Sequence, residues 1–134
     1  DVLIKVEFLP KETPLTPPQT PFAHKVADEL KRYFSRQIKA FSLPIQFQGT
    51  PFQQRVWNRL QTIPFGETAQ YGTLAKELQT SARAIGNACR TNPLPLVIPC
   101  HRVTARGHLG GFMGETRGEG IERKRWLLAH EQTL

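Results

Sequence analysis

Eleven prolines in 134 residues cut this chain into short pieces, because a proline lacks a backbone N–H and turns the residue before it away from helix. Helices must run between prolines or begin on one. Pro10, Pro14, Pro17 and Pro18 close an apolar opening stretch, Val2, Leu3, Ile4, Val6 and Phe8, which reads as a strand, and they make residues 11–20 a loop. Thr20-Pro21 supplies an N-cap and a first turn. Phe22, Val26, Leu30, Tyr33, Phe34 and Ile38 then recur at helical spacing, which predicts an amphipathic helix over 21–39. A short strand is expected over 43–47. Gly49 is placed as the boundary between an N-terminal appendage, 1–48, and a main domain, 49–134.

Thr50-Pro51-Phe52-Gln53 combines a cap, a first-turn proline and a capping-box glutamine, and Phe52, Val56, Leu60 and Ile63 fall on one face of a helix that ends before Pro64. A turn over 65–68 follows, then a short helix over 71–78, then Thr80/Ser81 as the cap of another. Two short helices joined by a tight turn suggest a helix-turn-helix. Turned at about 100° per residue, the second of them, 82–90, puts Ala82, Ile85, Ala88 and Cys89 on one side and Arg83, Gly86, Asn87 and Arg90 on the other. Gly86 costs about 1 kcal/mol against alanine in a helix interior, and close approach of another backbone is a reason to keep it. A solvated face with a tolerated glycine is the plainer alternative.

Net charge is +7, and residues 81–134 hold eight basic groups against four acidic ones, mostly arginine. Arginine bias favours a phosphate or nucleic-acid partner, although a soluble basic surface would look the same. No apolar run approaches the roughly 20 residues of a membrane span. The opening stretch has no basic flank or cleavage site, and so reads as an incompletely recorded N-terminus instead of a signal peptide. Two cysteines, Cys89 and Cys100, cannot build a disulfide scaffold, which points to a reducing interior, cytoplasmic or nuclear. No ligand spacing for structural zinc is evident, and neither a metal nor another cofactor is expected.

Asn92-Pro93-Leu94-Pro95-Leu96-Val97-Ile98-Pro99-Cys100-His101-Arg102-Val103 carries the chemistry. Its prolines exclude helix, residues 96–98 read as a short buried strand, and that strand delivers Cys100 to a cleft. A neighbouring imidazole can take a thiol proton to give the nucleophilic thiolate, and His101 is a candidate base, although adjacent side chains in an extended segment usually point apart. A purely structural Cys-His pair is the competing reading. A glycine-rich loop over 107–120 follows, then a last helix over 121–131, with Arg123, Lys124 and Arg125 facing solvent or phosphate. Glu131, at its end, is either a carboxylate that returns to polarise His101 or a plain surface group.

Taken together, Arg83-Ala84-Ile85-Gly86-Asn87-Ala88, Asn92-Pro93-Leu94-Pro95 and Ile98-Pro99-Cys100-His101-Arg102-Val103 resemble the O6-alkylguanine-DNA alkyltransferases. The runs 50–57, 64–72 and 126–131 extend the resemblance over 49–134. It implies an α+β fold: a small mixed α/β, partly ribonuclease-H-like N-terminal domain, then a mainly helical domain with a winged helix-turn-helix. It implies a monomer without a membrane partner, bound to the minor groove of double-stranded DNA containing O6-alkylguanine. Cys100 would accept the alkyl group, its thiolate prepared through His101, a bridging water and Glu131. Tyr71 would crowd the 3′ phosphate and protonate the departing guanine, Asn92 would fix the turn into the active-site segment, and Arg83 would replace the flipped nucleotide in the stack. Ala84, Gly86, Asn87, Arg90 and Arg102 complete the expected DNA contacts, and Phe112, Val103 and Pro95 the alkyl pocket. The segment 110–120 is longer than the family's usual loop. Two other classes compete: a non-catalytic recogniser of alkylated DNA, which would lack the cysteine, and a winged-helix regulator, which would leave Cys100-His101 without a purpose.

Overall fold

The computed structural model describes residues 1–132. Its helices start where the caps demand. Thr20 accepts from Ala23 N–H at 3.0 Å to open α1 (Pro21–Phe34), and Thr50 and Gln53 exchange reciprocal bonds of 3.1 and 2.9 Å to open α2 (Pro51–Leu60). β1 (Ala69–Gln70) leads directly into α3 (Tyr71–Glu77), and Ser81, accepting from Ala84 N–H at 3.1 Å, opens α4 (Ala82–Arg90). A single 3-10 turn, Cys100–Arg102, runs into β2 (Val103–Thr104), and α5 (Glu119–His130) closes the described chain. β1 and β2 pair in parallel, Ala69 with Val103 and Gln70 with Thr104. This is the mixed α+β architecture expected, and no helix in the described residues is long and apolar enough to cross a membrane.

The core is built by the inward faces of these helices. Val56, Trp57 and Leu60 of α2, Leu74 of α3 and Ile85 and Ala88 of α4 pack with Leu94, Ile98, Val103, Leu127 and, from α1, Tyr33. The Trp57 indole N–H donates to the Ala88 carbonyl at 2.8 Å, so α4 is tied to α2 by a buried polar bond as well as by packing. Gly49 has no room for a side chain: a Cβ there would meet the Trp57 ring at 2.7 Å. On the far side, α1 is held to residue 42 by Glu29, which accepts from the Ser42 N–H and hydroxyl at 2.9 and 2.6 Å. There Trp126, half exposed, stacks on His130 at 4.9 Å, beside Phe34.

Four expectations are corrected. α1 ends at Phe34 instead of residue 39, because Arg36 turns into the left-handed region (φ 64°) and Gln37 N–H bonds back to the Arg32 carbonyl at 2.7 Å, which terminates the helix. The expected strands at the N-terminus and over 43–47 reduce to one parallel bridge, Leu3 with Ile45, since no further ladder forms around it. Residues 96–97 are a turn, and Ile98 makes only an isolated bridge with Pro95. The Asn92 side chain donates to the Ile98 carbonyl and accepts from Leu94 N–H, both at 2.8 Å, Ile98 N–H bonds to Leu94 O, and Leu96 adopts φ 76°. Side-chain bonds have taken the place of a sheet ladder. α5 also begins earlier than expected, at Glu119.

Because the Thr50–Gln53 box satisfies two donors that otherwise face only water, Thr50→Ala should lower stability by about 1 kcal/mol without altering the fold, as measured by urea denaturation.

Candidate active site

Cys100 is the first residue of the 3-10 turn, only 3% exposed, and its sulfur sits at the floor of a cavity of about 710 Å3. Tyr71, Arg83, Arg90, Phe112 and Met113 are among the walls, and the Met113 sulfur lies 3.9 Å from the thiol. Burial pushes the Cys100 thiol up to about 11, while the Asn92 side chain and the Lys124 cation pull it down. The resting group is therefore a thiol.

His101 follows in the same turn and points the other way, into the interior, where it is fully buried. Its Nε2 lies 2.9 Å from Glu131 Oε2. Glu131 caps the end of α5 and receives more than this one bond. Arg102 grips it with two, Nε to Oε1 at 2.8 Å and Nη2 to Oε2 at 2.9 Å, and the Tyr33 hydroxyl donates to Oε2 at 2.5 Å. Those donors hold the Glu131 carboxyl far below the usual carboxylate range against the opposing effect of burial. An anion on that side requires Nε2 of His101 to carry the proton. Nδ1 is then the bare lone pair, and it is a buried atom without a hydrogen-bond partner. Burial also lowers the His101 pKa, with Glu131 raising it and the Arg102 and Lys124 cations lowering it further. His101 is thus neutral, with one nitrogen free to take a proton.

Lys124 is fully buried, donating from Nζ to the carbonyls of Val103 at 2.6 Å and Gly111 at 2.8 Å. Desolvation lowers its pKa to about 8. The same Gly111 carbonyl accepts from the Tyr71 hydroxyl at 3.3 Å, so the lysine and the tyrosine together pin the glycine-rich loop over Cys100. Gly110 is part of this closure: it has φ 76°, and a Cβ would meet the Tyr71 ring at 2.8 Å. Among the described residues no group of three His, Cys, Asp or Glu could hold a metal ion.

Residues 51–133 match the family model described as the DNA-binding domain of 6-O-methylguanine DNA methyltransferase. The chain is 40% identical over 134 residues to the methylated-DNA–protein-cysteine methyltransferase of Mycobacterium bovis, covering 98% of this chain and 78% of the relative. The chain belongs to the methylated-DNA–protein-cysteine methyltransferase family. Among solved structures, Mycobacterium tuberculosis O6-methylguanine methyltransferase superposes with a TM-score of 0.71 at 39% identity, over 83% of this chain and 66% of that one, just under two thirds of its length. Mycobacterium tuberculosis OGT in complex with DNA matches with a TM-score of 0.74 at 41% identity, over 83% of this chain and 68% of that one.

For a methyltransferase of this family, the structure gathers Cys100, Tyr71, Arg83, Gly86, Arg90 and Phe112 around one cavity and places His101, Asn92 and Glu131 behind it. Ala84 and Asn87 face a separate shallow groove with Thr50, Phe52 and Gln53. Three expected site residues lie elsewhere. Arg102 does not reach outward for DNA: it is buried, paired with Glu131 and donating to the Ile63 carbonyl at 2.7 Å. Val103 points into the core from β2, and Pro95 lines a second cavity of about 250 Å3 that shares Phe112 and Met113 with the first. Lys124 is likewise inside, although Arg125 beside it is exposed. The i+3 and i+4 relation of Lys124 to Leu127 and Leu128 was the signal that it shares their buried face. Tyr33 and Met113 were missed as site residues. Nothing in the spacing of an apolar helix face announces that one hydroxyl on it meets a carboxylate 98 positions away.

Glu131→Gln should cost about 3–5 kcal/mol, because it strands the buried Arg102 guanidinium. In the unsubstituted protein both His101 and Glu131 bind protons less readily when folded than when unfolded, so stability is full above the ordinary imidazole pKa of about 6.5. It declines as pH falls, first through His101 and then, below about 4.3, through Glu131. Melting temperatures measured from pH 8 to pH 3 should show both declines, and the second should be missing from Glu131→Gln.

Proposed function

We propose that this protein repairs DNA by flipping O6-alkylguanine out of the duplex and transferring the alkyl group irreversibly to its own Cys100. The observation that carries this reading is the thiol at the floor of an open cavity, with a neutral imidazole of fixed tautomer behind it and arginines at its rim. The names of the relatives agree with it, and a related chain has been crystallised with DNA. Residues 49–134 carry the chemistry, and 1–48 form the appendage packed against them.

The transfer balances as follows. Sγ of Cys100 forms a bond to the alkyl carbon as the C–O6 bond breaks, and the thiol proton passes by way of a water to His101 Nδ1, while the bonding pair leaves with guanine. Glu131 stabilises the imidazolium that results. Guanine takes a proton from the Tyr71 hydroxyl, which must first leave the Gly111 carbonyl, and the phenolate then regains a proton from solvent as the His101 imidazolium gives its own up, so that no net charge remains. Burial raises the Tyr71 pKa, so it is a weak acid until negative charge develops on the base beside it. Because Cys100 rests as a thiol, its proton is lost only when the reacting carbon and a dry pocket are in place, and the rate comes from alignment and from stabilising the leaving group. The thioether product is not displaced by water. Cys89, buried on the inner face of α4 with its thiol pushed upward by desolvation, is no resolving thiolate. Each molecule reacts once, as a monomer, in the reducing cytoplasm or nucleus.

α4 presents Arg83 and Arg90, both exposed, beside Gly86, over which nothing lies within 4 Å of a Cβ position. That low, basic ridge suits a minor groove, with Arg83 filling the gap left by the flipped base. Incubation with a duplex containing one O6-methylguanine should leave a single methyl on the Cys100 peptide by mass spectrometry, saturating at one per molecule. Cys100→Ala should bind the duplex without accepting the methyl. A protein that binds selectively but never becomes methylated would be a damage recogniser instead. Arg83→Ala should slow repair of the duplex by about tenfold or more while leaving reaction with free O6-benzylguanine nearly unchanged, since only the duplex requires extrusion. Equal losses on both substrates would remove the finger role.

A further inference from the structure

Glu131 meets more than the one imidazole of the relay. Here Oε2 is shared by three donors: His101 Nε2 at 2.9 Å, Arg102 Nη2 at 2.9 Å and the Tyr33 hydroxyl at 2.5 Å, the shortest of the three. Among the described residues, Oε1 takes only Arg102 Nε. Tyr33 comes from α1, outside the segment that carries the reaction, and it is held from every side. Its ring packs against Phe41 at 5.3 Å, Phe65 at 5.9 Å and His130 at 5.2 Å, and its own carbonyl accepts from His130 Nε2 at 2.9 Å. The hydroxyl therefore cannot swing away from Oε2 without moving α1 against α5.

We propose that Tyr33 is a positioning residue for the self-alkylation, its hydroxyl drawing charge from Glu131 Oε2 and so setting how basic His101 is. The inference rests on the functional reading above and extends it to the N-terminal appendage. A carboxylate oxygen that already accepts a strong neutral donor pulls less on the proton of the next. Tyr33 keeps that proton, because burial and the adjacent carboxylate both raise its pKa, so it donates at every pH at which the protein is folded. The other charged groups that face the pair are fixed in place: Arg102 from the 3-10 turn and Lys124 from α5 both oppose protonation of His101, and Cys100 lies on the cavity side. His130, next to Glu131 on α5, is turned toward the Tyr33 backbone. Of the donors on Oε2, only Tyr33 can be removed without deleting a charge or the base itself.

The test is Tyr33→Phe, which keeps the ring and removes one oxygen. Single-turnover methyl transfer should rise with pH as His101 loses its proton. In Tyr33→Phe this rise should move to higher pH by about half a unit or more, and the His101 ring, followed by 15N NMR and assigned by its loss in His101→Gln, should titrate higher by the same amount. 3-Fluorotyrosine placed at position 33 is a stronger donor of nearly unchanged shape and should shift both in the opposite direction. It decides the matter even if Tyr33→Phe folds poorly. Phe41→Leu loosens the ring packing without touching the hydroxyl, and should leave both titrations where they were. Superimposable His101 titrations for tyrosine, phenylalanine and fluorotyrosine would overturn the proposal and leave Tyr33 as packing alone. Failure of the unsubstituted protein to methylate Cys100 would overturn the functional reading instead, and the NMR titration would still decide the role of the hydroxyl.

Discussion

A carboxylate taken wholly out of water loses several kcal/mol of solvation, and it stays ionised only where enough donors surround it. Glu131 is such a group, fully buried at the end of α5 and met by Arg102, His101 and Tyr33. Arg102 is in turn anchored on the Ile63 carbonyl just beyond α2, so one anion gathers α1, the exit of α2, the 3-10 turn and α5 at a point. The chemistry follows from the same bonds. A charged Glu131 leaves His101 one tautomer, and that tautomer leaves Nδ1 as a buried lone pair without a hydrogen-bond partner.

Around this fixed anion the reactive group itself is kept quiet. Desolvation raises Cys100, and the groups that lower it, Asn92 and Lys124, do not overcome burial. A thiol of this kind resists casual oxidation and alkylation, because the reactive form is the thiolate. In the proposed transfer, reactivity is reserved for a partner that fills the cavity, aligns its carbon and supplies a leaving group. Met113, against the sulfur, occupies part of that space, and the flexibility of a methionine side chain suits it to give way.

Helices were legible in the sequence wherever a capping side chain stood at their start: Thr20-Pro21 and Thr50-Pro51, where a proline follows the cap, and Ser81, where none does, each mark a start that the structure keeps. The inner and outer faces of α4 were legible for the same reason, since a helix fixes the angle between successive side chains, except that Ala82, expected inside, lies exposed in the first turn. Strands were not, because residues 1–8 alternate well enough to pair but find only one bridge, and 96–98 are claimed by the Asn92 side chain. The candidate nucleophile, base and carboxylate could be named from Cys100-His101 and the terminal Glu131. Their supporting groups could not. Arg102 and Lys124 look like surface cations in any composition count, and their burial depends on a distant carboxylate and on loop carbonyls that local pattern does not contain. Tyr33 reads as one more apolar position on an amphipathic helix, and its hydroxyl acquires meaning only when the chain closes on itself.

The two tryptophans stand at opposite flanks of this arrangement. Trp57 is buried under the ridge of α4 and bonded to the Ala88 carbonyl, whereas Trp126 is half exposed and stacked on His130 at the junction of α1 and α5. An indole in an apolar core emits toward the blue, and one half exposed to water emits toward the red. The intrinsic fluorescence of the protein thus carries two separable signals, one from the half built on α2 and α4 and one from the seam with the N-terminal helix.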